Sequence, residues 1–161
     1  MVVIDTNAEI ETHAAPAQTN GIVVSVQVCA RHRAPMKKLD TVRAIENRGL
    51  EGDRHAMPDS SRQVLLLEAE TLERYDVPIG AIRENITTRG IELMSLKQST
   101  RLQIGEAIFE TTKECTPCSM VDDVRMGLRE VLQGQRGMLA RVVRGGEIRV
   151  GDEIKVMADS K

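Results

Sequence analysis

Two of the chain's three cysteines stand three positions apart, in Lys113-Glu114-Cys115-Thr116-Pro117-Cys118-Ser119-Met120. That spacing serves four chemistries: a metal clasp, a redox dithiol, a disulfide, or one working thiol beside a bystander. A structural zinc site takes four ligands. The other candidate ligands, Cys29, His13, His32 and His55, are scattered without ligand spacing, so zinc is not expected. A thioredoxin-type dithiol opens a helix after a strand. The residues before and after the pair meet that condition locally, but the chain lacks the alternating strands and helices of that fold. An odd and small cysteine count argues against a disulfide-stapled scaffold. On residue types alone, two inert half-buried thiols remain the plain reading.

Three polar segments shift that balance: "GDRH" at 52–55, "RENITTRG" at 83–90 and "GQRG" at 134–137. Guanidinium forks and hydroxyls are the donors that a phosphate-bearing anion requires. A thiol placed among arginines ionises more readily, which makes it a better nucleophile or metal ligand.

The elements that must position these groups are short. Ile22, Val24, Val26 and Val28 alternate with Val23, Ser25, Gln27 and Cys29, which predicts a strand with one apolar and one mixed face; Cys29 reads there as a packing residue. "DTVRAIE" at 40–46 predicts a second strand, and 47–61 a long polar loop broken by Gly49, Gly52 and Pro58. "RQVLLLE" predicts a buried strand, and "EAETLERYD" a helix that stops before Pro78. "ENITTRGI" reads as extended, and "RLQIGEAIFETT" as a hairpin with a Gly-Glu turn. Val124, Leu128, Val131 and Leu132 recur at helical spacing and predict one amphipathic helix. Two or three strands joined by Gly-Gly and Gly-Asp turns close the chain. About seven to nine short strands with turn signals every ten residues or so favour a closed or nearly closed barrel.

Composition removes several functional classes. A net charge of -2 offers no global attraction to nucleic acid or anionic lipid. One Phe, one Tyr and no Trp provide no platform on which bases could stack. Neither nucleic acid nor a membrane is expected as partner: residues 1–20 lack the basic start and apolar core of a secretory signal, and no apolar run approaches the roughly 20 residues of a span. The expected location is cytoplasmic. Residues 1–20 read as a loose tail, and no internal repeat or second-domain boundary occurs.

Seven segments in order, "GLEGDRHA", "RQVLLLEAETLE", "IRENITTRGIEL", "LQIGEAIFETT", the Pro117-Cys118 pair, "GLREVLQGQRGMLARVV" and "GEIRVGDEIKV", resemble the MOSC domain. This is the module homologous to the C-terminal part of eukaryotic molybdenum cofactor sulfurase. The resemblance implies a mainly β, single barrel-like domain over 21–157, with two or three short helices and a C-terminal tail at 158–161. In that family a cysteine carries sulfane sulfur as a persulfide, or ligates the molybdenum of molybdenum cofactor in reductases of N-hydroxylated compounds. Carried over, that cysteine is Cys118, the molybdenum ligand if the metal binds, with Cys115 as a helper thiol. The cofactor-binding positions become Arg54, His55, Glu84, Asn85, Thr87, Thr88, Arg89, Arg136 and Arg141, with Asp53 in the same loop as His55. One departure stands out, because the glycine expected before Glu84-Asn85 is Arg83.

The resemblance thus implies a stand-alone MOSC protein that binds molybdenum cofactor or carries sulfur. The alternatives are a molybdenum-dependent reductase and a non-catalytic cofactor-binding module. Its partners would be proteins that give or accept cofactor or sulfur. A reductase would also need a separate electron donor, since no barrel is expected before Gly21 and no ferredoxin-type cysteine set occurs.

Overall fold

A computed structural model describes residues 20–158. The loose tail expected at 1–20 falls, apart from Asn20, outside the described residues, as does most of 158–161. The chain forms β1 (Asn20–Val28), β2 (Lys37–Leu39), β3 (Thr41–Ile45), β4 (Gly49–Leu50), β5 (Val64–Glu68), α1 (Ala69–Arg74) and β6 (Ile86–Arg89). It continues with β7 (Arg101–Ile104), β8 (Ala107–Glu114), α2 (Ser119–Val124), α3 (Leu128–Val131), β9 (Met138–Arg144), β10 (Gly146–Arg149) and β11 (Glu153–Val156).

Seven strands close a barrel in the order β11-β7-β8-β9-β5-β6-β1, with β1 returning to β11 and β2 extending β1 beyond the ring. Only β5 and β6 pair in parallel within this sheet. A parallel pair needs a crossover, which α1 and the loop to residue 85 supply. A small second sheet has the order β10-β3-β4. The fold is therefore the mainly β barrel with short helices that the sequence predicts.

With a single phenylalanine, aliphatic side chains must fill the barrel. Val23, Val26, Leu66, Ile86, Leu102, Phe109 and Ala140 belong to one core cluster, each no more than 1% exposed. β5 is buried on both faces, which its unbroken apolar run requires. Leu66 points into the barrel, while Leu67 joins Leu72, Ile82, Val121, Leu128 and Leu132 in a second core beneath the helices.

Three local expectations are corrected. The alternation in β1 does not hold through the strand: Ile22 is 46% exposed whereas Val23 is buried together with Val26 and Val28. The pairing with β6 shifts register between Val23 and Ser25, and such an irregularity reverses the faces that follow. The single amphipathic helix is two, α2 and α3, separated at Gly127, which takes a left-handed φ of 89°. Leu128 and Leu132 are buried as predicted, but Val124 and Val131 are exposed. The loop at 47–61 also contains β4, whose Leu50 is fully buried and pairs with Ala44.

Candidate functional site

A cleft of about 710 Å³ lies against the outer wall of the barrel, not in its lumen. Leu65 of β5, Leu139 of β9 and Cys115 pack together as one cluster and line it. Its walls are the β1–β2 loop, the 53–55 loop, the 81–85 segment and α2 with the residues just before it. Five arginines line it (Arg33, Arg54, Arg62, Arg83 and Arg136) against two carboxylates, Asp53 and Asp123. All three cysteines line it as well. Arginine-rich walls in a partly enclosed space favour an anion, because nearby low-dielectric protein strengthens each charge.

Cys118 is the residue immediately before α2. Its backbone is extended, its side chain makes no capping bond, and the thiol is exposed. Cys115 is buried, and its N–H donates to the carbonyl of Gly137 at 2.8 Å. One cysteine of the pair is thus open to reagents and the other is packed under the cleft.

Arg136 is the least compensated charge in the site. It is 3% exposed, Nη2 donates to the Ile82 carbonyl at 2.7 Å, and Nε and Nη1 have no partner. Two unmatched donors on a buried cation cost folding free energy and leave capacity for an anionic acceptor. Gly137 beside it has a φ of 121°, and a Cβ there would lie 2.6 Å from the Leu66 carbonyl. Only glycine lets β9 begin this close to β5, and this start fixes where Arg136 sits.

Asp53, His55 and Asn85 form a buttress rather than a row of free donors. Asp53 accepts the N–H of Cys29 at 2.8 Å, the Asn85 amide at 3.2 Å and the N–H of His55 at 3.1 Å. Burial alone would raise the Asp53 pKa; hydrogen bonds from His55 and Cys29 outweigh it and hold the carboxyl below its ordinary value. His55 Nδ1 is 3.5 Å from Asp53 Oδ2, and its Nε2 is 3.1 Å from Arg54 Nη1. Asn85 also donates to the Gln27 carbonyl at 3.1 Å and accepts from the Leu65 N–H at 3.0 Å. Its polar capacity is spent inside the protein.

Glu84 is fully buried and does not line the cleft. It accepts from the Gly80 N–H at 2.7 Å and the Thr87 hydroxyl at 3.2 Å, and Oε1 has no partner. Burial raises its pKa, opposed by these hydrogen bonds and by the charge of Arg136. Thr87 completes a buried network with Gln27, and Thr88 is buried with its hydroxyl unpartnered.

The structure therefore brings Asp53, Arg54, His55, Asn85, Cys115, Cys118 and Arg136 around one cleft and leaves the other carried-over residues out of it. Thr87 and Thr88 are buried in β6. Arg89 pairs with Glu73 of α1 on the surface. Arg141 pairs with Glu110 across β8 and β9 at 2.8 Å and borders a separate polar groove. Cys29, Arg83, Arg62, His32 and Arg33 line the cleft without having been singled out for it. Two signals pointed their way: the polar face of β1 that ends in Cys29, and the arginine standing where a glycine was expected. Among the described residues no three His, Cys, Asp or Glu side chains cluster as a metal-ligand set, and no helix is long and apolar enough to cross a membrane.

The family model described as the MOSC domain matches residues 52–155. No curated protein matches the chain in sequence. Among solved structures, the YuaD protein from Bacillus subtilis superposes with a TM-score of 0.76 at 18% identity, covering 89% of this chain and 98% of that one. YiiM from Escherichia coli gives 0.68 at 16% identity over 87% of this chain and 71% of that one. YiiM from Geobacillus stearothermophilus gives 0.68 at 20% identity, covering 86% and 75%. At these identities the likeness is one of fold.

Proposed function

The chain belongs to the MOSC domain family, and from that premise we propose that the arginine-lined cleft binds molybdenum cofactor, with Cys118 facing its metal. The observation that carries this reading is Arg136, a buried guanidinium with two unpartnered nitrogens in the same cleft as an exposed thiol.

The residues fit such a group. A phosphate on the pterin would receive the free donors of Arg136, with Arg54 and Arg62 adding charge at the wall. A metal that arrives already ligated by an organic cofactor asks the protein for one soft donor rather than a full set, and the Cys118 thiolate is that donor. Asp53 and Asn85 tie β1, β5 and the 53–55 loop together and hold the walls in place. Bound there, the cofactor would supply two-electron redox chemistry at molybdenum, and a reductase of N-hydroxylated compounds would draw its electrons from a separate protein.

A second reading is favoured by the contrast between the two close cysteines. An exposed Cys118 beside a packed Cys115 suits a thiol that carries sulfane sulfur and passes it to an acceptor protein. Native mass spectrometry of anaerobically purified protein, with Cys118→Ser alongside, separates the two. An added mass equal to a molybdenum–pterin group, lost in the variant, is the expected result. A single added sulfur on Cys118 would replace it with the carrier reading. Full cofactor loading of the variant would refute the role given to Cys118.

A further inference from the structure

Arg83 stands where the family resemblance expects glycine, and it keeps a glycine-like backbone, with a φ of 73°. A long side chain stays in the left-handed region only where its surroundings over-determine it. Here both neighbours are fixed. Ile82 is fully buried and its carbonyl accepts Arg136 Nη2. Glu84 is fully buried and its carboxylate holds the N–H of Gly80.

From this pinned position the guanidinium reaches across to the loop between β1 and β2. Nη1 donates to the Ala34 carbonyl and lies 3.3 Å from Cys29 Sγ. The Cys29 sulfur is itself 3.0 Å from the Arg31 carbonyl and 3.3 Å from that of Ala34. Its thiol proton has an acceptor within the loop, and its lone pair faces Arg83. The same loop presents His32, Arg33 and Met36 to the cleft. Cys29 is only 4% exposed although it lines the cleft, whereas the side chains of Arg31, His32 and Arg33 beside it are exposed.

We propose that Arg83 is a positioning residue that bolts the β1–β2 loop to the cleft wall. It fixes where His32 and Arg33 stand and masks Cys29 as a latent thiol of the site. The left-handed backbone is what aims the side chain at the loop. The bolt uses only this chain's own groups, so it holds whatever ligand the cleft takes and does not depend on the cofactor reading.

The test is timed alkylation with iodoacetamide under native conditions, read by peptide mass spectrometry, on the wild type, Arg83→Met and Arg83→Gly. Methionine keeps the reach and the strained backbone but removes both hydrogen bonds; glycine removes the bonds and relaxes the backbone. Cys118 should react fast in all three proteins and Cys29 slowly in the wild type. Both variants should raise the Cys29 rate about tenfold or more, because closing the loop loses its charged hydrogen bonds. Cys115, packed between Leu65 and Leu139, should stay slow. Amide hydrogen exchange over residues 31–36 should quicken in parallel. An unchanged Cys29 rate in Arg83→Met overturns the proposal, and so does a rise seen only in Arg83→Gly. A matching rise at Cys115 would mean general loosening of the fold and overturns it as well.

Discussion

Replacing Arg136 by methionine should separate binding from folding. The guanidinium is buried, makes one hydrogen bond and leaves Nε and Nη1 unpartnered. Methionine gives up one charged hydrogen bond, about 1.5–3 kcal/mol, and removes two buried unsatisfied donors that each cost about 1–3 kcal/mol. Glu84 loses a charge that favours its ionised form, which acts in the same direction as the burial that already raises its pKa. The buried Ile82 carbonyl also loses its donor, at about 1–3 kcal/mol, so the terms nearly cancel. Buried ionic groups replaced by apolar ones of similar size often behave this way. The urea midpoint of the variant should therefore stay within about 0.5 M of wild type, for a slope of roughly 1–3 kcal/mol per M. Affinity for a phosphate-bearing probe should move the other way. With inorganic pyrophosphate in a calorimetric titration, losing one charged hydrogen bond predicts a Kd about 10- to 150-fold weaker. A midpoint that falls by the equivalent of about 3 kcal/mol, together with unchanged pyrophosphate affinity, would refute the reasoning and make Arg136 an internal strut.

Asn85→Ala should lower stability by about 3–5 kcal/mol, since it strips three hydrogen bonds and leaves the Leu65 N–H unmatched in the core; a thermal midpoint within a degree of wild type would contradict the buttress. Glu84 titrates above its ordinary value, so the folded state binds its proton more tightly than the unfolded chain does. Stability should fall as pH rises from the usual carboxylate range through the raised value. Glu84→Gln should flatten that part of the urea midpoint's pH profile, and an unaltered slope would show that Glu84 does not set it. Asp53 has the opposite sign: its lowered pKa contributes stability above the unfolded value that is lost on acidification through the folded one. Asp53→Asn should therefore blunt the acid limb and leave the neutral limb alone. Gly137→Ala should cost about 2 kcal/mol or more, because the new Cβ meets the Leu66 carbonyl at 2.6 Å and the left-handed φ strains it. A soluble variant with wild-type stability would show that β9 has room to shift.

The sequence by itself determined the barrel class, the short helices and the chemical character of the site. Period-2 alternation and frequent turn signals specify strands locally, and the run in β5 announces burial on both faces because no polar residue interrupts it. Thiols next to arginine-bearing loops state a chemistry before any geometry is known. Tertiary structure decided which of those residues share a space. Thr87, Thr88 and Glu84 belong to the same motif as Arg83 and Asn85, yet β6 is covered on both faces, so Thr87 and Thr88 are enclosed on opposite sides of it, and the pinned turn before it encloses Glu84. Arg89 and Arg141 are drawn off by Glu73 and Glu110, partners distant in sequence that only folding brings near. The register shift in β1 moved Val23 inward and Ile22 out, since slipping one residue in a strand reverses every side chain beyond it. The cleft itself was invisible in the sequence because its walls come from separate loops, α2 and the outer face of β5 and β9. Closure of the barrel makes them neighbours, and chain order does not.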